Sequence, residues 1–231
     1  MPAVLITSAN RGIGLEFAAQ YLSADWQVYA ACRQPRSADR LQQLLRAAPE
    51  RMRILAMDVT DPASVAAAAA SLRDRAIDLL INSAGIIGAP GQRTGHIDYT
   101  SWMQVLEVNT LGPMRVTEAF IEQLARSERK LLITITSGMG SIADNTSGGQ
   151  IAYRSSKAAV NMAMRSAAID LRPRAISCVV VNPGWVRTDM GGQNATLSVQ
   201  ASVSAMRRLF DELGLEQSGK FFNYDGREYP W

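Results

Sequence analysis

The chain is poor in the residues from which several common active sites are built. Its 231 residues include one histidine, His96, two cysteines, Cys32 and Cys178, and three lysines among 24 basic residues. A single histidine argues against a histidine-based catalytic triad and leaves too few ligands for a zinc site with several histidines. Both cysteines fall within apolar, strand-like runs, which indicates small buried side chains. We therefore expect neither a disulfide nor a metal site.

Long apolar runs and clusters of positive charge are also missing. No apolar run approaches the length of a membrane-spanning helix, and a strand-like run begins by Ala3, so we expect neither membrane insertion nor a signal peptide. The net charge of +3 is scattered, so we expect no nucleic-acid partner. An apolar content of 47% is typical of a globular chain. These features favour a single cytoplasmic domain, residues 1–231.

Apolar runs of strand length alternate with longer helical patterns. The strand-like runs are Ala3–Thr7, Gln27–Cys32, Arg53–Met57, Ile77–Ile81, Lys130–Thr136 and Ile176–Val181, with a last short run, "GKFF", at 219–222. The helical patterns between and after them are Ile13–Leu22, Ser37–Ala48, Pro62–Asp74, Tyr99–Ala125, Ala152–Leu171 and Ser198–Leu213. Continuously apolar strands separated by helices predict an α/β, doubly wound Rossmann-type domain. We expect about seven parallel strands, helices on both faces, and ligands beyond the carboxyl strand ends.

A glycine-containing turn, "TSANRGIG", follows the first predicted strand. Gly12 and Gly14 would let the backbone approach a pyrophosphate, which the N–H groups and positive dipole end of the next helix would attract. Ser8 stands where this motif commonly has its first glycine, and the replacement matters only if the residue needs a positive φ. Taken alone, the stretch is equally compatible with an ordinary strand–helix turn.

The second predicted strand ends at Cys32 and is followed by Arg33. Domains of this type that prefer NAD commonly carry a carboxylate about twenty residues past the glycines, where it binds the ribose 2′-hydroxyl. No acidic residue stands at this strand end. Arg33 and Arg11 instead offer guanidinium groups, which match a 2′-phosphate in charge and geometry. The pattern favours NADP(H).

A tyrosine and a lysine follow the fifth predicted strand. Tyr153 and Lys157 are four residues apart, so they lie on one face of a helix, and Ser137 stands just upstream at the strand end. A nearby ammonium favours the phenolate, so we expect Lys157 to lower the pKa of Tyr153 and prepare it for proton transfer.

These motifs, together with "NSAG" at 82–85, Asn109 in "VNTLGP" and "NPGWVRTDM" at 182–190, resemble the short-chain dehydrogenase/reductase family along the whole chain. The stretches 144–149 and 221–231 are most similar to its C-factor-like and sniffer-like carbonyl reductases. The resemblance implies that Tyr153 is the general acid or base, assisted by Lys157. Ser137 would donate to the substrate oxygen, and Asn109 would hold a water that links Lys157 to solvent.

The resemblance also implies which residues bind the cofactor and the substrate. The cofactor residues would be Thr7, Ser8, Asn10, Arg11, Gly12, Ile13, Gly14, Arg33, Asp58, Val59, Asn82, Ala84, Gly85, Tyr153, Lys157, Pro183, Gly184, Val186 and Thr188. The substrate pocket is expected to be apolar, with Ile86, Met139, Ile142, Trp185 and Met190 as candidate walls. We expect residues 144–149 to form part of its wall, and the loop and helix at 191–213 to cover the substrate.

Two classes of function remain open on the sequence. The first is NADPH-dependent reduction of an aldehyde or ketone, and the second is an NADP-binding signalling or interaction protein with little turnover. Enoyl reduction is disfavoured because that branch spaces its tyrosine and lysine more widely. The family also commonly self-associates through helices near Ser101–Ala125 and Ala152–Leu171, which implies a homodimer or homotetramer.

Overall fold

A computed structural model describes residues 1–231 and contains one seven-stranded parallel sheet. The strands are β1 (Ala3–Ile6), β2 (Gln27–Cys32), β3 (Met52–Ala56), β4 (Leu79–Asn82), β5 (Leu131–Ile135), β6 (Ser177–Asn182) and β7 (Phe221–Asn223). Their order is β3-β2-β1-β4-β5-β6-β7. The order reverses between β1 and β4, and such a switch point opens a crevice at the carboxyl edge of the sheet. The predicted doubly wound fold is confirmed.

Helices cover both faces of the sheet and form two apolar layers. The helices are α1 (Gly12–Ser23), α2 (Asp39–Ala47), α3 (Pro62–Ala70), α4 (Tyr99–Leu106), α5 (Gly112–Ala125), α6 (Ile151–Asp170) and α7 (Val199–Glu212). Successive strand side chains point to opposite faces, so Val4 and Ile6 pack with α1, α2 and α7. Leu5 packs in the opposite layer with α3, α5 and α6. The two layers fix the loops at the carboxyl edge.

The predicted helix over Tyr99–Ala125 is interrupted by a π-helical turn, Glu107–Leu111, between α4 and α5. Pro113 has no N–H to donate to the carbonyl of Asn109, so the regular ladder of α-helical hydrogen bonds cannot continue there. Such turns are often found at functional sites. The turn carries Asn109, one of the predicted catalytic residues.

Local chemistry explains other element boundaries. Asp61 caps α3 by accepting a hydrogen bond of 2.9 Å from the Ala63 amide, and Pro62 occupies the first turn, as predicted. Cys32 and Cys178 are buried and unpaired, also as predicted. None of the helices combines the length and the hydropathy that crossing a membrane requires.

After β7 the chain turns sharply and runs back beside the same strand. The Asn223 amide donates to Arg227 O at 2.8 Å, and the Tyr229 amide donates to Phe221 O at 2.7 Å. We call residues 227–231 the return arm. Its aromatic side chains pack on the buried Phe221, with ring centroids 5.0 Å away for Tyr229 and 5.5 Å away for Trp231.

Candidate active site

The loop after β1 is tied to the loop after β4 across the switch point. The Thr7 hydroxyl accepts hydrogen bonds from the amides of Ser83, at 2.9 Å, and Ala84, at 3.1 Å. Thr7 is 1% exposed. Its side chain therefore joins two loops that were both predicted to bind the cofactor, which fixes their relative position.

Ser8 adopts a left-handed backbone conformation, with a φ of 53°. The replacement of glycine by Ser8 therefore matters, because this residue needs a positive φ, which glycine adopts without strain. Gly12 also has a positive φ, of 52°. At Gly14 a Cβ would collide with the carbonyl oxygen of Ser8, so only glycine lets α1 begin this close to the turn.

The start of α1 offers free N–H groups to an anion. Its N-cap, Arg11, makes no side-chain capping bond, and the first turn contains no acidic residue. Ile13 is partly buried and packs against the apolar layer that contains α1. These features are typical of a helix start that binds a phosphate.

A cavity of about 690 Å³ extends from this turn across the ends of β2, β3 and β4. It is lined by eight of the residues predicted to bind the cofactor: Ser8, Asn10, Arg11, Arg33, Asp58, Val59, Ala84 and Gly85. Gln34, Ser37, Thr60 and Ile86 also line it and were not predicted to bind the cofactor. Its size and its combination of arginines, backbone and one carboxylate fit a dinucleotide.

Asp58 is held as a carboxylate at this cavity. Burial acts to raise the pKa of Asp58, but hydrogen bonds from Thr60 and the charge of Arg33 outweigh it and hold the pKa below its usual value. The Thr60 amide and hydroxyl donate to Asp58 Oδ1 at 2.9 and 2.7 Å. The carboxylate is thus fixed in place and ionised.

Asn82 was predicted to bind the cofactor, but it does not line the cavity. Its amide nitrogen is 3.3 Å from both Pro113 O and Thr117 Oγ1 on α5. Asn82 is 2% exposed and its Oδ1 has no partner. The structure therefore gives this side chain a role in joining β4 to α5.

Asn109 connects the loop after β4 to α6. Its Oδ1 accepts from the Ile86 amide at 2.8 Å, while its Nδ2 donates to Ile86 O at 2.8 Å and to Ser156 Oγ at 3.0 Å. A Cβ on Gly85 would lie 3.5 Å from Asn109 Oδ1 and 3.6 Å from Lys157 Nζ. The amide of Asn109 thus orders the backbone beside Lys157.

Lys157 is buried without an ion-pair partner. It is 4% exposed, and its Nζ donates to Ile135 O at 3.0 Å. Burial lowers the pKa of Lys157 from 10.5 to about 8. The ammonium lies 5.8 Å from the centroid of the Tyr153 ring, as the four-residue spacing predicts. A lysine with this pKa can exchange a proton near neutral pH.

The structure reverses the expected direction of the Tyr153 pKa. Burial raises this pKa, and a hydrogen bond from Ser137 only partly opposes the effect. The predicted lowering by Lys157 is wrong for this structure, because desolvation of the phenolate dominates. Ser137 also caps the short turn that follows β5, where its Oγ accepts from the Met139 amide at 3.1 Å.

The loop after β6 meets the glycine turn. Thr188 Cγ2 lies 3.5 Å from the position of a Cβ on Gly12, and Arg11 Nη1 lies 3.5 Å from Asp189 Oδ2. Thr188 Oγ1 accepts from the Gly191 amide at 3.1 Å, which closes a tight turn. Of the predicted cofactor residues of this loop, Thr188 thus borders the helix start of α1.

Three further residues of this loop hold its shape. Pro183 O accepts from the buried Ser202 hydroxyl at 2.6 Å. Gly184 has a φ of 77°, and a Cβ there would meet Leu197 at 2.6 Å. Val186 is buried and pairs with Leu197. These contacts set the path of the backbone from β6.

A second cavity, of about 590 Å³, lies between the loop after β5 and α6. The predicted walls Met139 and Ile142 line it, as do Asn145, Ser147, Gly148 and Gly149 of the stretch 144–149. The other lining residues include Arg93, Arg154, Ser141 and Ser155, so the cavity is more polar than expected. Ile86 lines the first cavity, and Trp185 and Met190 are 54% and 42% exposed and line neither.

The segment 191–213 has two different environments. Its first part folds against the loop after β6, where Trp185 Nε1 donates to Gly191 O at 2.8 Å and Leu197 pairs with Val186. Its second part is α7, which packs against α1 through Phe210 and Phe17, with ring centroids 5.7 Å apart. Covering of the substrate by residues 191–197 stays a prediction.

The return arm contacts the loop after β5, at residues 143 and 144. The sequence did not predict this contact. Tyr229 OH donates to Asp144 Oδ2 at 2.7 Å, and the main-chain oxygen of Trp231 accepts from the Ala143 amide at 2.8 Å. The only signal in the sequence was that both segments resemble the same group of reductases.

Comparison with known proteins identifies the family. A family model for short chain dehydrogenases matches residues 2–197. C-signal of Myxococcus xanthus is 48% identical over 155 residues, which cover 67% of this chain and 93% of that protein. The carbonyl reductase Sniffer of D. melanogaster has a TM-score of 0.94 at 32% identity, with both chains fully covered. An NADPH-bound carbonyl reductase from chicken fatty liver has a TM-score of 0.92 at 37% identity, covering 100% of this chain and 99% of that one. The chain belongs to the short-chain dehydrogenase family.

Proposed function

We propose that the protein is an NADPH-dependent reductase that transfers hydride to the carbonyl carbon of an aldehyde or ketone. The observation that carries this proposal is the arrangement around the buried Tyr153: the ammonium of the buried Lys157 lies 5.8 Å from the centroid of the tyrosine ring, and Ser137 lies close enough to the phenol to act against the rise of its pKa. The similarity to Sniffer and to the NADPH-bound chicken enzyme, both carbonyl reductases, supports it.

The first cavity would hold NADP(H), which supplies the hydride when bound. The N–H groups at the start of α1 would bind the pyrophosphate, and Asp58 would reach an adenine edge. Arg11 and Arg33 line the same cavity and would bind the 2′-phosphate. Thr188, beside Gly12, would reach the carboxamide. The close approach that Gly14 permits is consistent with this fit.

The protein supplies the proton and stabilises the developing charge. In reduction Tyr153 would donate its proton to the substrate oxygen, and its raised pKa keeps it protonated near neutral pH. Ser137 would donate a second hydrogen bond to the same oxygen as it gains negative charge. Lys157, with a pKa of about 8, would return a proton toward Tyr153 and hold the nicotinamide ribose. Asn109 would order the backbone beside Lys157 through its two bonds to Ile86, and would hold the water that links Lys157 to solvent.

The decisive experiment is Tyr153→Phe. We expect it to remove NADPH oxidation on a panel of aldehydes, ketones and quinones while NADPH affinity, measured by fluorescence titration, changes by less than about threefold. Tyr99→Phe is a matched control, because Tyr99 is 69% exposed on α4. Unchanged turnover in Tyr153→Phe would refute the assigned mechanism.

A second candidate is an NADP-binding signalling or interaction protein. The 48% identity to C-signal favours it. It predicts that NADPH binds but that no carbonyl on the panel is reduced. The presence of Tyr153 and Asn109 beside Lys157 supports the enzyme instead, because a protein that only binds the cofactor needs neither a proton donor nor a residue that supplies it with protons.

We also propose a homodimer or homotetramer located in the cytoplasm. Large apolar side chains are exposed on the helices through which the family commonly self-associates: Tyr99 and Met103 on α4, and Met162 and Ile169 on α6. The two unpaired cysteines are compatible with a reducing compartment. The partner in the reaction would be a small carbonyl or alcohol compound.

A further inference from the structure

The return arm is anchored in the core of the protein. Tyr229 and Trp231 both pack on Phe221, which has no exposed surface, and backbone hydrogen bonds hold the arm beside β7. The arm is therefore a fixed point from which a neighbouring loop can be held.

That neighbour is the loop that carries Ser137. Tyr229 OH donates to Asp144 Oδ2 at 2.7 Å. The main-chain oxygen of Trp231 accepts from the Ala143 amide at 2.8 Å and from Ser141 Oγ at 3.2 Å. These three bonds join the return arm to residues 141–144, the far end of the loop.

The near end of the same loop also contacts Tyr229. A Cβ on Gly138 would lie 2.7 Å from Tyr229 OH, so the tyrosine hydroxyl sits directly against the residue that follows Ser137. A single side chain thus touches both ends of the segment Ser137–Asp144.

We propose that the return arm, through Tyr229 and Trp231, is a positioning element that sets the place of the Ser137 hydroxyl. The proposal rests on the carbonyl reduction proposed above, in which Ser137 donates to the substrate oxygen. Small displacements of a group that binds a reacting atom lower the rate strongly. Loss of the bond between Tyr229 and Asp144 would therefore reduce catalysis more than stability.

The same loop lines the second cavity through Met139, Ser141, Ile142 and Asn145. A loosened loop would change the shape of that cavity as well as the position of Ser137. We therefore expect both kcat and KM to change, whereas a purely structural contact would lower the melting temperature and leave both constants of the folded enzyme unchanged.

The test compares four single variants of the full chain, and the double variant Tyr229→Phe/Asp144→Ala, with the wild type. Tyr229→Phe and Asp144→Ala remove the hydrogen bond, while Asp144→Asn keeps an acceptor oxygen for it. Glu228→Gln is the matched control, because it removes the arm's ion pair with Lys220, 3.2 Å long, without touching the loop. Steady-state kinetics with NADPH and one carbonyl substrate are measured well below the melting temperature. Peptide-level hydrogen exchange follows the amides of 138–144.

We expect kcat/KM to fall about tenfold in Tyr229→Phe and in Asp144→Ala, with no further fall when the two are combined, because they remove one shared bond. Asp144→Asn should stay within about twofold of the wild type, and Glu228→Gln should match it. Exchange of the 138–144 amides should accelerate only in the variants that lose the bond, namely Tyr229→Phe, Asp144→Ala and their combination. Wild-type kinetics in Tyr229→Phe would overturn the proposal.

If the wild-type protein reduces no carbonyl substrate, the proposed function is refuted. The effect of the return arm on the loop is then tested by hydrogen exchange alone. Faster exchange confined to 138–144 in Tyr229→Phe would then support the positioning of the loop by the return arm. Unchanged exchange there would overturn it.

Discussion

The ammonium of Lys157 donates a hydrogen bond of 3.0 Å to the carbonyl oxygen of Ile135, the last residue of β5. Lys157 is 4% exposed, and burial is the cause that lowers its pKa to about 8. One carbonyl dipole does not replace the water that a charged group loses on burial. The site therefore keeps a positive charge at a cost in stability.

This cost should be measurable in Lys157→Met, which keeps the apolar stem and removes the charge. The shift of the Lys157 pKa from 10.5 to about 8 corresponds to about 3 kcal/mol, so the variant should gain up to that free energy of unfolding at pH 7. Above pH 8 the folded wild type loses this proton while the unfolded chain keeps it, so wild-type stability rises toward pH 10. The gain of the variant should shrink over that range in urea titrations.

Lys220→Met provides the control for this experiment. Lys220 is 43% exposed and pairs with Glu228 at the surface, so its replacement should change stability by less than about 1 kcal/mol. A destabilised Lys157→Met at pH 7, or a gain that does not depend on pH, would contradict the explanation.

The sequence was sufficient for the fold because six of the seven strands are buried along nearly their whole length, the exception being the edge strand β3. Such strands are continuously apolar, and all seven lie within one or two residues of the predicted runs. The interruption of the helix at Glu107–Leu111 was missed, although Pro113 was a signal for it. Helical periodicity reports a buried face and is hardly altered by one extra residue in a turn.

The parts of the site formed by residues close together in the sequence were predictable. The parts that depend on burial or on contacts between distant segments were not. Tyr153 and Lys157 are adjacent because four residues make one helical turn. The direction of the Tyr153 pKa depends on burial, which no local pattern states. The bond from Tyr229 to Asp144 joins residues 85 positions apart, so nothing in either segment alone predicts it.

Ser8→Gly should stabilise the protein. A non-glycine residue with a φ of 53° is strained by about 1 kcal/mol, and glycine removes that strain at a smaller entropic cost in the unfolded chain. We expect a gain of a few tenths to about 1 kcal/mol in denaturant unfolding. Ser83→Gly is the control, since Ser83 has no positive φ and should lose stability on the same change. If the two substitutions change the free energy of unfolding equally, backbone strain at Ser8 is not the cause.

Arg33→Ala should change the choice of cofactor. Arg33 lines the first cavity beside Asp58, so its loss should weaken NADPH binding about tenfold or more and leave NADH affinity nearly unchanged. Arg36→Ala is a matched control, because Arg36 is a near neighbour that does not line the cavity. Fluorescence titration with both nucleotides measures the effect. Parallel losses for NADPH and NADH would assign Arg33 to a different part of the cofactor.

The exposed side chains of Met103 on α4 and Met162 on α6 should report self-association. Each is 67% exposed, and methionine at a surface contact contributes apolar area that a carboxylate cannot replace. Met103→Glu combined with Met162→Glu should convert an oligomer into monomers in sedimentation-velocity experiments. Trp185→Glu is the control, since Trp185 is also exposed but lies on the loop after β6. An oligomer that survives the double substitution and dissociates in Trp185→Glu would place the interface at that loop.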